Sequence, residues 1–227
     1  MLDFLGTVAT AGLIVFVIST LLAFLDVSRQ AKIVMAALLG LWVGIATAGS
    51  AAGWAALARP FPVMGLFVAA PLTAAVIATA WPAARKAMLG LPLPLLVGLN
   101  VGRVFAVLFL LVAAEGRMSG PFPHSAGWGD IISGVVALPL IWLASEPARN
   151  KVVLHLWNAF GMLDLVTAIV LGVMSAPGSL LQIFPDPGTE AMTRLPLSFV
   201  PTVLVPMWMV LHAIIWVKLR RQAGART

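Results

Sequence analysis

Cysteine is absent from the 227 residues. That excludes disulfides, thiol nucleophiles and thiolate metal sites. Charge is scarce too: 14 Lys/Arg and 8 Asp/Glu make up 10% of the chain, against roughly 25% in a typical soluble domain. Hydrophobic residues reach 61%, and the mean hydropathy is +1.05. A chain this apolar has too few polar side chains to cover a core in water. A water-soluble globular domain is therefore excluded, and so is disorder, which requires low hydrophobicity.

What the chain has instead is long apolar segments. A membrane-spanning helix needs about 20 mostly apolar residues. Seven such segments occur, at approximately 6–25, 33–57, 62–81, 89–114, 129–145, 152–175 and 196–217. Short polar or Pro/Gly-rich breaks separate them, and little room remains for a soluble domain. Barrel strands would alternate apolar and polar residues, whereas Leu108-Phe109-Leu110-Leu111-Val112 is apolar throughout. The expectation is an all-α polytopic membrane protein, one seven-helix bundle over residues 1–227. The start, Met1-Leu2-Asp3-Phe4-Leu5, lacks the basic leader of a removable signal peptide, so the first span is expected to be retained.

Basic residues in short loops set orientation. One set of loops, with the C-terminus, holds Arg29, Lys32, Arg85, Lys86, Arg149, Lys151, Lys218, Arg220, Arg221 and Arg226. The other holds only Arg59, Arg117 and Arg194. The asymmetry places the N-terminus outside and the C-terminus in the cytoplasm. The expected location is a bacterial cytoplasmic (inner) membrane. The net charge of +6 is then a topology signal, and nucleic acid is not an expected partner.

Helices in lipid associate through close backbone approach or polar contacts. Gly40, Gly44, Ala48, Ala52 and Ala56 form a small-residue stripe on the second span, and Gly98 and Gly102 form another on the fourth. Both are expected to pack inside the bundle. Pro71, Pro139 and Pro206 fall near the middle of their spans, where each removes a backbone hydrogen bond and favours a kink.

Charges inside spans are costly and point to function by default. Arg103 and Asp164 lie about 14 and 13 residues in from the cytoplasmic end, roughly 20 Å at 1.5 Å per residue. Equal depth and opposite sign imply a pair. Asn100 is one turn from Arg103, and Asn158, Gly161 and Asp164 share a small, polar helix face. The candidate centre is therefore Asn100, Arg103, Asp164 and Asn158, acting as a ligand or proton site or as a structural ion pair. His155 and His212 are placed near the cytoplasmic face, where two histidines suit a haem or metal; two ligands without a carboxylate make a weak site, and no cofactor is expected. His124 falls in an external loop and is expected to be solvated.

Catalytic motifs are few. His-Glu-x-x-His and Gly-x-Ser-x-Gly are missing, and the last span has no central lysine for retinal. Gly127-Trp128-Gly129-Asp130 resembles the Gly-x-Gly-Asp motif of presenilin-like and prepilin aspartyl proteases, with Asp164 as the second carboxylate. Against this, the motif comes first in the chain here, whereas those families place it second. Asp130 is also expected at the external end of its span, on the order of 10–15 Å from Asp164 in depth. Its simpler role is an N-terminal cap.

Two functions compete: binding or transport of a small solute or proton at the Arg/Asp/Asn centre, and an accessory or assembly subunit of a larger membrane complex; the candidate partners are the lipid bilayer, a small-molecule or proton ligand, and a homo-oligomer or larger membrane complex. An intramembrane aspartyl protease is a remote third. The orientation is testable directly. A reporter fused after Arg226 is expected to read as cytoplasmic, and one inserted near Ser119 or Gly188 as external. An external C-terminus would overturn both the orientation and the assigned depths.

Overall fold

The computed structural model describes residues 2–57 and 63–224, with side chains as far as Arg221. Arg59 and Arg226, two of the basic residues that set the expected orientation, lie outside the described residues. The chain is all-helical, with no strand among the described residues. The helices are α1 (Leu2–Phe24), α2 (Arg29–Ala51), α3 (Val63–Ala78), α4 (Pro82–Gly90), α5 (Leu93–Leu99), α6 (Val107–Ala114), α7 (Phe122–Leu143), α8 (Lys151–Met174) and α9 (Val205–Gly224).

A 3-10 segment, Asn100–Ala106, joins α5 to α6 into one rod, and a π-helical segment, Val200–Leu204, leads into α9. Among the described residues, six rods are long and apolar enough to cross a membrane, or seven if the bent pair α3 and α4 counts as one. Leu66, Val76, Trp142, Val152 and Leu163 are exposed, while Asn100, Arg103, Asp130, Asn158 and His212 are buried. Apolar outside and polar inside is the reverse of a soluble protein and fits a lipid solvent.

The breaks have local causes. Ser28 caps α2 by accepting from the Ala31 amide at 3.2 Å. The third expected span does not end in a loop at Pro82. A proline at the first turn of a helix costs nothing, because its missing N–H would have no partner there. Pro82 therefore starts α4, which leaves α3 at 106°. Lys218 holds the far end of α4 by donating to the Leu89 carbonyl at 2.6 Å, one of the orphan acceptors of a helix terminus.

The fifth span also begins earlier than expected, at Phe122. The stretch Gly116–Gly127 suggests a loop by its Gly, Pro and Ser content, yet Phe122, Ala126, Asp130, Ser133 and Ala137 are all buried at helical spacing. Pro123 again sits in the first turn. His124, on the same turn, is exposed as expected.

The interior has two apolar layers. The larger includes Leu13, Val17, Leu96, Val97, Ala137, Leu154, Leu211 and Ile215. The smaller includes Ala106, Phe109, Val112, Phe122, Ala126 and Met192. Along α5–α6 the layers change between Leu99 and Ala106, and along α7 between Ala126 and Ala137. Arg103 and Asp130 occupy those junctions.

The two small-residue stripes part company. A Cβ on Gly102 would meet Leu13 at 2.6 Å, and one on Gly98 would contact Ile141 at 3.5 Å, so α5 and its 3-10 extension are packed tightly through glycine. Gly40 and Gly44 have nothing within 4 Å of an added Cβ, and Gly40, Gly44 and Ala48 are exposed. The α2 stripe does not pack inside the bundle. Phe67 of α3 packs against Gly49 on the other side of α2, where Ala46, Gly49 and Ser50 are buried.

One proline shows how the bundle repairs its own breaks. Pro206 has no N–H for the carbonyl four residues back, Thr202. That carbonyl accepts from the Trp42 indole at 2.9 Å instead, tying α2 to the start of α9. Trp42→Phe is expected to lower stability by about 1–2 kcal/mol, measured by thermal unfolding in detergent. Adding Pro206→Ala should recover part of that loss, because an alanine at 206 returns a backbone donor. A double variant no more stable than Trp42→Phe would refute the account.

Candidate functional site

The 3-10 segment determines what faces inward. With three residues per turn, positions i and i+3 eclipse. Asn100, Arg103 and Ala106 are the buried residues of Asn100–Ala106, so one stripe of this short segment looks into the bundle. It packs most extensively on α7. Arg103 is fully buried. An arginine keeps its charge at any accessible pH, so every part of its fork must find a partner.

Four of its five N–H donors do. Nε donates to Asp130 Oδ1 at 2.6 Å and Nη2 to Asp164 Oδ2 at 2.6 Å. Nη1 donates to the Gly161 carbonyl at 3.2 Å and to His212 Nε2 at 2.9 Å. Trp208 lies beneath, with its ring centroid 6.0 Å from the guanidinium carbon, within cation–π range. Nε and Nη2 form one edge of the planar group, the edge that ordinarily grips both oxygens of a single carboxylate. Here that edge is divided between two carboxylates from two helices, α7 and α8.

The hydrogen bonds also assign the histidine. Nη1 only donates, so His212 Nε2 accepts. The proton is therefore on Nδ1, which donates to Asn158 Oδ1 at 2.8 Å. Asn158 returns its amide to the His212 carbonyl at 3.1 Å. His212 is the neutral Nδ1–H tautomer and carries no charge into the centre. Trp157 packs against it, 5.4 Å between ring centroids, and donates to the Ser133 carbonyl at 3.0 Å.

Two glycines make room. A Cβ on Gly161 would stand 2.5 Å from His212 Cε1 and 2.9 Å from Arg103 Nη1, and one on Gly129 would overlap the Asp164 carboxylate. Small residues at 129 and 161 are therefore a steric condition of the cluster.

Of the four residues expected at the centre, Arg103 and Asp164 are in direct contact. Asn158 joins through His212. Asn100 is buried one turn away and bonds the Leu96 carbonyl at 2.9 Å. Asp130 was assigned to a helix cap at the external end, and that is corrected. With α7 starting at Phe122, Asp130 lies inside the helix, buried, on the same guanidinium as Asp164. The expected gap in depth between the two carboxylates is corrected with it. The obstacle to an aspartyl dyad changes in kind: Arg103 now bonds both carboxylates, whereas a protease pair shares a proton between them.

His155 and His212 do not form a common site. His155 bonds the Lys151 carbonyl at 3.0 Å and packs on Trp216 at 5.3 Å. Both nitrogens of His212 are engaged, leaving none for a haem or metal. No group of three or more His, Cys, Asp or Glu suited to a metal ion occurs among the described residues.

A cavity of about 140 Å³ reaches this centre at Asp130. Its walls include Phe109, Phe122, Ala168, Ile169 and Val205, and exposed Glu190 lies on the same lining. It is roofed by the 3-10 turn Glu190–Thr193. That turn follows a loop fixed by Thr189 N to the Ser175 carbonyl at 2.9 Å and by Ser119 Oγ, which donates to the Pro185 carbonyl at 3.0 Å and accepts from Gly188 N at 2.9 Å. The earlier part of the loop, Leu180, Leu181 and Ile183, is exposed.

Residues 60–220 match the family described as Domain of unknown function (DUF8737). The chain belongs to this family. The matched stretch contains Arg103, Asp130, Asp164 and His212. No curated protein and no solved structure matches the chain.

Removing the cation leaves two buried carboxylates facing each other, whereas removing one carboxylate leaves Arg103 with the other. Arg103→Met is therefore expected to cost about 3–5 kcal/mol, and Asp164→Asn distinctly less. Gly161→Ala should cost about 1–3 kcal/mol by overpacking. Thermal unfolding in detergent ranks the three, and an Asp164→Asn loss equal to that of Arg103→Met would refute the shared-guanidinium account.

Proposed function

We propose that this protein is a seven-span membrane protein, N-terminus outside and C-terminus in the cytoplasm, that binds a small solute or proton at the Arg103 centre and passes it across the bilayer. The observation that carries the reading is the cavity that runs from exposed Glu190 to buried Asp130. A purely structural ion pair has no need of one. Pockets with apolar walls and a few convergent polar groups are the usual form of a ligand site. In the proposed orientation this cavity opens outward.

The charge balance supports the same reading. One guanidinium stands against two carboxylates, so the centre carries an excess of one negative charge when both are ionised. Asn100 Oδ1, Ser133 Oγ and Trp208 Nε1 are buried without a hydrogen-bond partner among the described residues. Each is one helical turn from Arg103, Asp130 or His212, so polar capacity for water or solute remains beside the centre.

A second reading keeps one specific support. The exposed Gly40, Gly44 and Ala48 face of α2 suits a further helix, as in an accessory subunit or homo-oligomer.

Because the chain has no cysteine, Ala168→Cys places a single thiol in the cavity. In proteoliposomes this thiol is expected to react with a charged methanethiosulfonate reagent from the outer face. Wild-type vesicles loaded with a pH-sensitive dye should dissipate a proton gradient several-fold faster than Asp130→Asn vesicles, if the proton is the species passed. An unreactive thiol together with flux no greater than that of empty vesicles would overturn the proposal and leave the subunit reading.

A further inference from the structure

The cavity and the charges beside it restrict what can occupy it. Its lining carries Asp130 at the buried end and Glu190 at the exposed end, with no basic residue among the described residues that line it. Glu190 is already paired with Arg194 at 2.9 Å. Asp130 is not saturated: Oδ1 receives Arg103 Nε, while Oδ2 receives no hydrogen bond among the described residues. Asp130 is only 3% exposed, and the cavity reaches it. Arg103 itself places four of its five N–H donors on protein acceptors and does not line the cavity. An anion entering here would meet a carboxylate first.

The remaining walls are apolar. Phe109 and Phe122 sit together, 5.8 Å between ring centroids, and Ala168, Ile169 and Val205 complete the surface near Asp130. A cavity of roughly 150 Å³ lined by apolar groups holds a benzene-sized molecule, and this one is about 140 Å³. Aromatic walls beside a carboxylate suit a cation on an apolar body.

We infer that the cavity binds a small organic cation, a protonated primary amine on an apolar body about the size of a benzene ring, with its ammonium on the free oxygen of Asp130. The ammonium supplies the positive charge that the pair of carboxylates on one guanidinium lacks. The apolar body replaces water against Phe109 and Phe122. This assignment rests on the proposed reading of the Arg103 centre as a solute site and names the class of solute.

Three probes of equal size and different charge test it: benzylamine, benzyl alcohol and benzoate, each titrated against the full chain in detergent micelles at neutral pH, with the unfolding midpoint as readout. Benzylamine should raise the midpoint saturably, at a half-maximal concentration about tenfold or more below that of benzyl alcohol, the discrimination expected of one charge-assisted contact in a desolvated site. Benzoate should not raise it. Asp130→Asn should bring benzylamine down to the potency of the alcohol. Ala168→Leu, which fills the cavity and leaves the carboxylate in place, should abolish the effect even if Asp130→Asn does not fold. Equal potency of amine and alcohol, stabilisation by benzoate, or an undiminished benzylamine effect in either variant would overturn the inference. A reactive thiol at 168 with no benzylamine effect would sink the inference alone, whereas an unreactive thiol together with flux no greater than that of empty vesicles would sink the solute-site reading beneath it.

Discussion

A guanidinium that cannot lose its proton sits fully buried, and much of the bundle's centre is arranged around that fact. Four bonds from Arg103 reach α7, α8 and α9, so one side chain fixes the relative placement of three helices and its own. Each bond imposes a further condition. Contact with the Gly161 carbonyl and with His212 requires that residue 161 have no side chain. The Asp164 carboxylate, lying against α7, requires the same of residue 129. Accepting from arginine fixes His212 as a neutral tautomer, and that tautomer needs the acceptor Asn158 provides.

A single carboxylate would have satisfied the Nε–Nη2 edge with both its oxygens. Dividing the edge between Asp130 and Asp164 brings two like charges together at the expense of electrostatic repulsion. Buried ion pairs are weak evidence of stability in any case, since desolvation offsets much of the attraction. The arrangement is therefore hard to explain as a staple alone. Under the proposed reading it is a centre one positive charge short when both carboxylates are ionised, next to a cavity from which a cationic solute would supply that charge.

The fold was legible where composition decides it. Sixty-one per cent hydrophobic residues in seven long runs leave helices as the natural solution, and the helices are there. The pairing of Arg103 with Asp164 was legible too, because equal depth and opposite sign need no knowledge of neighbours. Asp130 was missed because Gly116–Gly127 resembles a loop by composition, which hid the burial period of Phe122, Ala126, Asp130, Ser133 and Ala137. Attention to that 3.6-residue period would have moved Asp130 into the helix. Which face of α2 turns outward was not legible at all. A stripe of glycine and alanine packs equally well against its own bundle, a second protein or lipid, and only tertiary contacts distinguish them.

The ion cluster and the cavity differ in how the chain builds them. Arg103, Asp130, Asp164 and His212 all fall within the stretch shared with the family, residues 60–220. The cavity draws walls from outside it: Ala55, Ala56 and Leu57, in the short segment that follows α2, line it beside the Glu190–Thr193 turn. α1 also reaches the centre from outside that stretch, with Leu13 against Gly102. The charged centre thus belongs to the shared portion, while the segment that follows α2 adds wall to the space beside it. Under the proposed reading, a ligand's ammonium would be held by the shared portion, and part of its body would meet residues 55–57, which precede that portion.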